Sequence, residues 1–139
     1  MTSHAAPTWS VVVPVKRLDA AKTRLDAYGP AARGDLALAF ALDVVSAALA
    51  CPAVAAVTVV TDDARAGRAL GALGAEVLAE AGADGLDGVL RRGARHARAA
   101  RPGSGTAALA ADLLESDDPR AVSAGTVWLN ENAARAWRR

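Results

Sequence analysis

The chain has 139 residues, 53% of them hydrophobic, and a formal net charge of +1 at pH 7. This length predicts one domain able to bury roughly two-thirds of its unfolded surface, and the near-neutral balance offers no field for nucleic acid. No run of eighteen apolar residues is free of charge: 36–52 comes closest, and Asp43 interrupts it, so no membrane span is expected. Residues 1–9 lack a basic stretch followed by an apolar one and do not read as a signal peptide. A soluble, cytoplasmic protein is therefore the expectation. The single cysteine, Cys51, leaves no internal disulfide; before Pro52 at the end of a helical stretch, it reads as a small buried hydrophobe.

In chain order, Trp9 to Val15 is a valine-rich run that reads as a buried parallel strand. A lysine-bearing loop follows. Gly29-Pro30 punctuates, and Ala31 to Ala50 predicts a long helix with Leu36, Phe40, Val44 and Leu49 on one stripe. Ala55 to Thr61 predicts a second buried strand, closed by Asp62-Asp63. Ala64 to Leu73 predicts a helix with Gly74 as its C′ residue. Glu76 to Ala79 reads as a short third strand, 82–85 as a glycine-rich loop, and Leu86 to Arg101 as a helix. Pro102 to Gly105 breaks the chain, and Thr106 to Leu113 predicts a fourth strand. Residues 121–129 offer one weak strand and 130–139 a short terminal helix. Helices alternating with apolar strands argue for a doubly wound, mostly parallel α/β sheet, whose ligands bind beyond the carboxyl ends of the strands.

Polar residues gather at three of those ends: Lys16 after the first strand, Thr61-Asp62-Asp63 after the second, and Asp112 in the fourth. Lys16 and Lys22 are the only lysines beside fourteen arginines. A lysine kept against such a bias suggests a need for a compact, flexible ammonium, which the planar arginine fork replaces poorly. With Arg24, and Arg17 beside them, they could neutralise a triphosphate and a leaving pyrophosphate; the bland reading is residual surface charge. Asp62 and Asp63 could meet a base, a ribose or a metal, or one of them could cap the following helix. Asp112 suits Mg²⁺, which takes few carboxylates plus substrate phosphates; otherwise it is an exposed strand-end aspartate. His96 lies among Arg91, Arg92, Arg95, Arg98 and Arg101 and reads as part of a solvated helix face. Neither Gly-x-Gly-x-x-Gly after the first strand nor Gly-x-x-x-x-Gly-Lys-Ser/Thr anywhere is present, which disfavours a dinucleotide domain and a P-loop. A receiver-like signalling domain would need acidic residues at the end of the first strand, where Pro14 and Val15 stand.

The segment Val11-Val-Val-Pro-Val-Lys-Arg-Leu-Asp-Ala-Ala-Lys-Thr-Arg-Leu25 resembles the opening of the guanylyltransferases of coenzyme F420 biosynthesis, the 2-phospho-L-lactate enzymes and their phosphoenolpyruvate-using relatives. Collinear matches follow at Leu36-Ala-Leu-Ala-Phe-Ala-Leu-Asp43, Val57-Thr-Val-Val-Thr-Asp-Asp63, Leu73-Gly-Ala75 and Ala107-Ala-Leu-Ala-Ala-Asp-Leu113. The resemblance implies a nucleotide-diphospho-sugar transferase-like, Rossmann-like α/β fold with helices on both faces of a mostly parallel sheet. It implies transfer of GMP from GTP, with Mg²⁺, to phosphoenolpyruvate or 2-phospho-L-lactate, releasing pyrophosphate. On that reading Lys16 and Lys22 act in catalysis and, with Arg24, hold the GTP phosphates; Thr61 and Asp62 lie near the nucleotide; Asp112 is the metal aspartate.

Residues 9–113 carry the resemblance, and 114–139 are a divergent tail of the same single domain. The family usually has asparagine at the position of Asp87, continues its aspartate strand Leu-Pro-Ala-Leu, and runs on through an acceptor loop and a later acidic metal motif. None of these is matched after Leu113, so the fold is expected to be truncated. A second register sets Gly103-Ser-Gly-Thr-Ala-Ala-Leu109 against the acceptor loop, with Thr106 contacting the acceptor phosphate. The alternative to a working enzyme is a catalytically incomplete nucleotide-binding remnant, and a homodimer is a permitted assembly.

Overall fold

The computed structural model describes residues 8–19 and 29–109. Its elements are β1 (Trp9–Pro14), α1 (Pro30–Ala50), β2 (Val54–Val60), α2 (Ala64–Ala72), β3 (Glu76–Leu78), α3 (Gly85–Ala100) and β4 (Gly105–Ala108). Each expected element from 9 to 109 is present within about two residues of its expected bounds. Residues 110–113 of the expected fourth strand, and both elements expected in the tail, lie outside the described residues.

All strand pairings are parallel, in the order β3-β2-β1-β4. The chain thus winds outward from β1 to β3, then crosses back through α3 to place β4 on the other side of β1. Side chains alternate across each strand, and the valines divide accordingly. Val11, Val13, Val57 and Val59 pack with α1 and α2, whereas Val12, Val60 and Ala108 pack with Val89 and Ala97 of α3. Helices therefore cover both faces.

Gly93 lets α3 approach the sheet: a Cβ there would fall inside Val12 Cγ1 and 3.0 Å from Val60 Cγ2. Gly74, at φ +108°, follows Leu73 at the end of α2, in the left-handed conformation that favours glycine.

The buried face of α1 differs from the expected stripe. Ala37, Leu38, Val45 and Ala48 are buried, while Leu36 and Phe40 are 37% and 41% exposed. The stripe that faces the sheet runs through Ala37, Leu38, Val45 and Ala48 and is rotated from the expected one, so Leu36 and Phe40 turn outward. Val44 and Leu49 remain at the edge of the core. Cys51 is exposed, contrary to expectation, because it caps α1 in extended conformation and leaves the packed helix face.

Candidate functional site

The reversal of winding puts a topological switch point between β1 and β4, the place where open α/β sheets open a crevice for ligands. Beside it, on the β2 side, the loop leaving β1 is held at two points. The Leu18 amide donates to Asp63 Oδ2 at 2.9 Å, and Arg33 Nη2 donates to the Asp19 carbonyl at 2.6 Å. Leu18 itself is buried, and Gly34 of α1 comes close against it. Pinned on its far side, the loop presents Lys16 and Arg17 at the surface, with Arg17 3.5 Å from Asp19.

The turn after β2 builds the other half. Asp63 caps α2, accepting from the Ala66 amide at 2.8 Å through Oδ1 while Oδ2 holds Leu18. Burial works to raise its pKa, but the amides of Ala66, Leu18 and Arg65 and the charge of Arg17 outweigh that and hold it below the usual carboxylate value. Asp63 is the cap of the pair. The buried Thr61 hydroxyl accepts from the Asp63 amide at 3.1 Å. Asp62 is exposed, and its Oδ1 accepts from the Glu80 amide at 2.8 Å, tying down the loop after β3.

Lys16, Thr61 and Asp62 thus come to one edge, stapled together by Asp63. Lys22, Arg24 and Asp112 lie outside the described residues. Thr106 is the second residue of β4, paired with Ser10, and so sits at the amino end of its strand; the structure does not bring it to this edge. Asp87, 88% exposed, pairs with Arg91 at 3.5 Å in the first turns of α3. Among the described residues no group of three His, Cys, Asp or Glu side chains could hold a metal. The carboxylates of Asp62 and Asp63 accept backbone amides instead, so the described residues do not by themselves make a Mg²⁺ site. Among them, too, no helix is long and apolar enough to cross a membrane.

A second polar cluster was missed in the sequence. Arg101, just past α3, donates through Nη1 and Nη2 to Glu76 Oε1 and Oε2 at 3.0 and 2.9 Å and through Nε to Ser10 Oγ at 3.1 Å. Thr58 Oγ1 and His96 Nε2 lie 3.1 and 3.2 Å from Glu76 Oε2. The Arg101 hydrogen bonds, with help from Thr58 and His96, lower the Glu76 pKa to about 2 against burial. The only sequence signal was a glutamate opening a short strand. Its partner stands 25 residues away in what reads as a solvated arginine face.

These features define a doubly wound α/β domain with Lys16, Thr61 and Asp62 at the carboxyl end of its sheet. No protein-family model matches the chain. It is 61% identical over 106 residues, 76% of its own length, to the phosphoenolpyruvate guanylyltransferase of Streptomyces coelicolor, and covers 50% of that protein. To the protein of the same name from Thermomonospora curvata it is 55% identical over 114 residues, 81% of its length and 50% of the relative. The Streptosporangium roseum protein of that name gives 48% over 114 residues with the same shares. Over the matched residues this chain belongs to the phosphoenolpyruvate guanylyltransferase family, and it spans about half the length of these relatives.

Proposed function

We propose that the chain carries the GTP-binding portion of a guanylyltransferase that transfers GMP from GTP to phosphoenolpyruvate, or to 2-phospho-L-lactate, in coenzyme F420 biosynthesis in the cytoplasm. The observation that supports this best is the joining of the Lys16 loop to the Thr61–Asp63 turn at the carboxyl ends of β1 and β2, in a chain so similar to proteins of that name.

In this reaction an oxygen of the acceptor phosphate attacks the α-phosphorus of GTP, and the bond to the bridging oxygen breaks as pyrophosphate leaves. Positioning and neutralisation of charge carry such a transfer. Lys16, with Lys22 and Arg24, would draw the triphosphate to the sheet edge and balance the charge on the departing pyrophosphate. Asp63 serves indirectly by fixing the loop that bears Lys16. Thr61 and Asp62 would flank the nucleotide. Asp112 is the residue that would hold Mg²⁺, which would supply further charge neutralisation.

Pyrophosphate release from GTP, measured with and without phosphoenolpyruvate, tests the reading. Release that requires the acceptor and disappears in Lys16→Ala supports it; unchanged release in that variant rejects the role of Lys16. The half-length match favours one other outcome, GTP binding by folded protein without turnover, which would mark the chain as a nucleotide-binding remnant of the family.

A further inference from the structure

We propose that the groove between the β3 edge and α3 is a second anion site, built to take a diphosphate group. The groove holds about 710 Å³, with Arg91, Arg92, Arg95 and His96 on the helix wall and the loop from Glu80 to Ala83 opposite. This size falls in the range of small-ligand sites.

The arginines are arranged for an anion. Arg92 Nε donates to the Ala79 carbonyl at 2.5 Å, so its guanidinium is fixed in place. Its two terminal amino groups have no protein partner among the described residues. Arg95 is exposed and makes no hydrogen bond or ion pair among the described residues. Among the described residues Arg91 is committed only to Asp87, at 3.5 Å with the two side chains 73% and 88% exposed, and such pairs are released at little cost. Arg91 and Arg95 stand four residues apart, as do Arg92 and His96, so each pair spans about 6 Å along the helix. Guanidinium forks at that spacing match the oxygens of two linked phosphates, which they grip bidentately.

The opposite wall selects against other ligands. Leu78 is the one large apolar residue in the lining, beside Ala81, Gly82 and Ala83, so recognition falls mainly to charge. Glu80 is the one carboxylate in the lining, and it directs an anion toward Arg91 and Arg95. A net charge of +1 for the whole chain makes this a local concentration of positive charge and disfavours an extended polyanion. Its loop is tied to Asp62 through the Glu80 amide, but its cations are not those of the Lys16 loop, and it does not depend on the guanylyltransferase reading.

The experiment is a backbone-amide NMR titration of the full chain with metal-free inorganic pyrophosphate, and separately with GDP, at constant ionic strength. Pyrophosphate should shift the amides of 79–83 and 88–96. Read at those amides, the double variant Arg92→Gln/Arg95→Gln should bind it about tenfold more weakly or worse, while Lys16→Ala should change the affinity read there by less than about twofold, whatever it does to shifts at 15–19 and 61–63. Arg95→Ala, which alters only an exposed side chain, gives a second test if the double variant loses its native spectrum. Pyrophosphate tighter than GDP identifies the free anion as the ligand, and equal affinity identifies a nucleotide's diphosphate; either supports the site. Shifts confined to 15–19 and 61–63, with affinity lost in Lys16→Ala alone, would overturn it and leave the GTP reading standing. Equal shifts from sulfate at the same ionic strength would overturn it as well.

Discussion

The two edges of the sheet use their charged residues in opposite ways. At the amino edge, Glu76 and Arg101 meet in a two-pronged ion pair, with Ser10, Thr58 and His96 hydrogen-bonded around it. At the carboxyl edge, Asp62 and Asp63 accept backbone amides, and the cations Lys16 and Arg17 are displayed at the surface. One edge turns its charges on each other and fastens α3 to the sheet. The other uses carboxylates to hold loops and carries Lys16 and Arg17 at the surface, Arg17 beside Asp19. On the proposed reading, damage at the amino edge should cost stability, and damage at the carboxyl edge should cost binding.

The largest loss of stability is expected where α3 is seated. Gly93→Ala forces a Cβ into Val12 and should destabilise the chain by about 1–3 kcal/mol, lowering the urea midpoint. The amino edge itself should reveal its charge through pH. Glu76 has its pKa lowered from 4.5 to about 2, so its contribution is complete above about pH 4.5 and is lost as pH falls toward 2. With the side chain 40% exposed, solvent screening leaves a contribution of about 1–2 kcal/mol. Urea unfolding from pH 6 to 2.5 should show that loss in the native chain and a flatter profile in Glu76→Gln. Asp63→Ala crosses the comparison: removing the α2 cap should cost about 1 kcal/mol, and freeing the Leu18 amide should also weaken GTP binding. If only stability changes, the link between the turn and the Lys16 loop has no functional weight.

Much of this contrast could be read in the sequence at one edge and not at the other. The valine runs and the helical spacings predict every element from β1 to β4, because a buried parallel strand and its crossover helix leave strong local patterns. Lys16 and the Thr61–Asp63 turn were legible since strand ends can be located from those patterns. Asp63 read only as a cap or a ligand; its grip on Leu18, 45 residues away, depends on the adjacency of β1 and β2. The Glu76–Arg101 pair was hidden for the same reason, as two of the residues around it enter from β1 and β2. The orientation of α1 was misread because a stripe drawn through Leu36, Phe40, Val44 and Leu49 fits helical spacing about as well as the one that faces the sheet, through Ala37, Leu38, Val45 and Ala48. Thr106 was placed by resemblance in one register, and the pairing of β4 with β1 sets it at the opposite edge from Lys16.

The smallest effect on stability is expected at Lys16. It is exposed, so Lys16→Ala should change unfolding free energy by no more than about 0.5 kcal/mol. Its effect on GTP should be large by comparison. Isothermal titration of GTP into the native chain, Lys16→Ala and Glu76→Gln therefore tests the division between the edges most directly. The expected result is measurable binding by the native chain, a loss of about tenfold or more in Lys16→Ala, and near-native affinity in folded Glu76→Gln. Equal affinity in the native chain and Lys16→Ala, or a loss confined to Glu76→Gln, would contradict it.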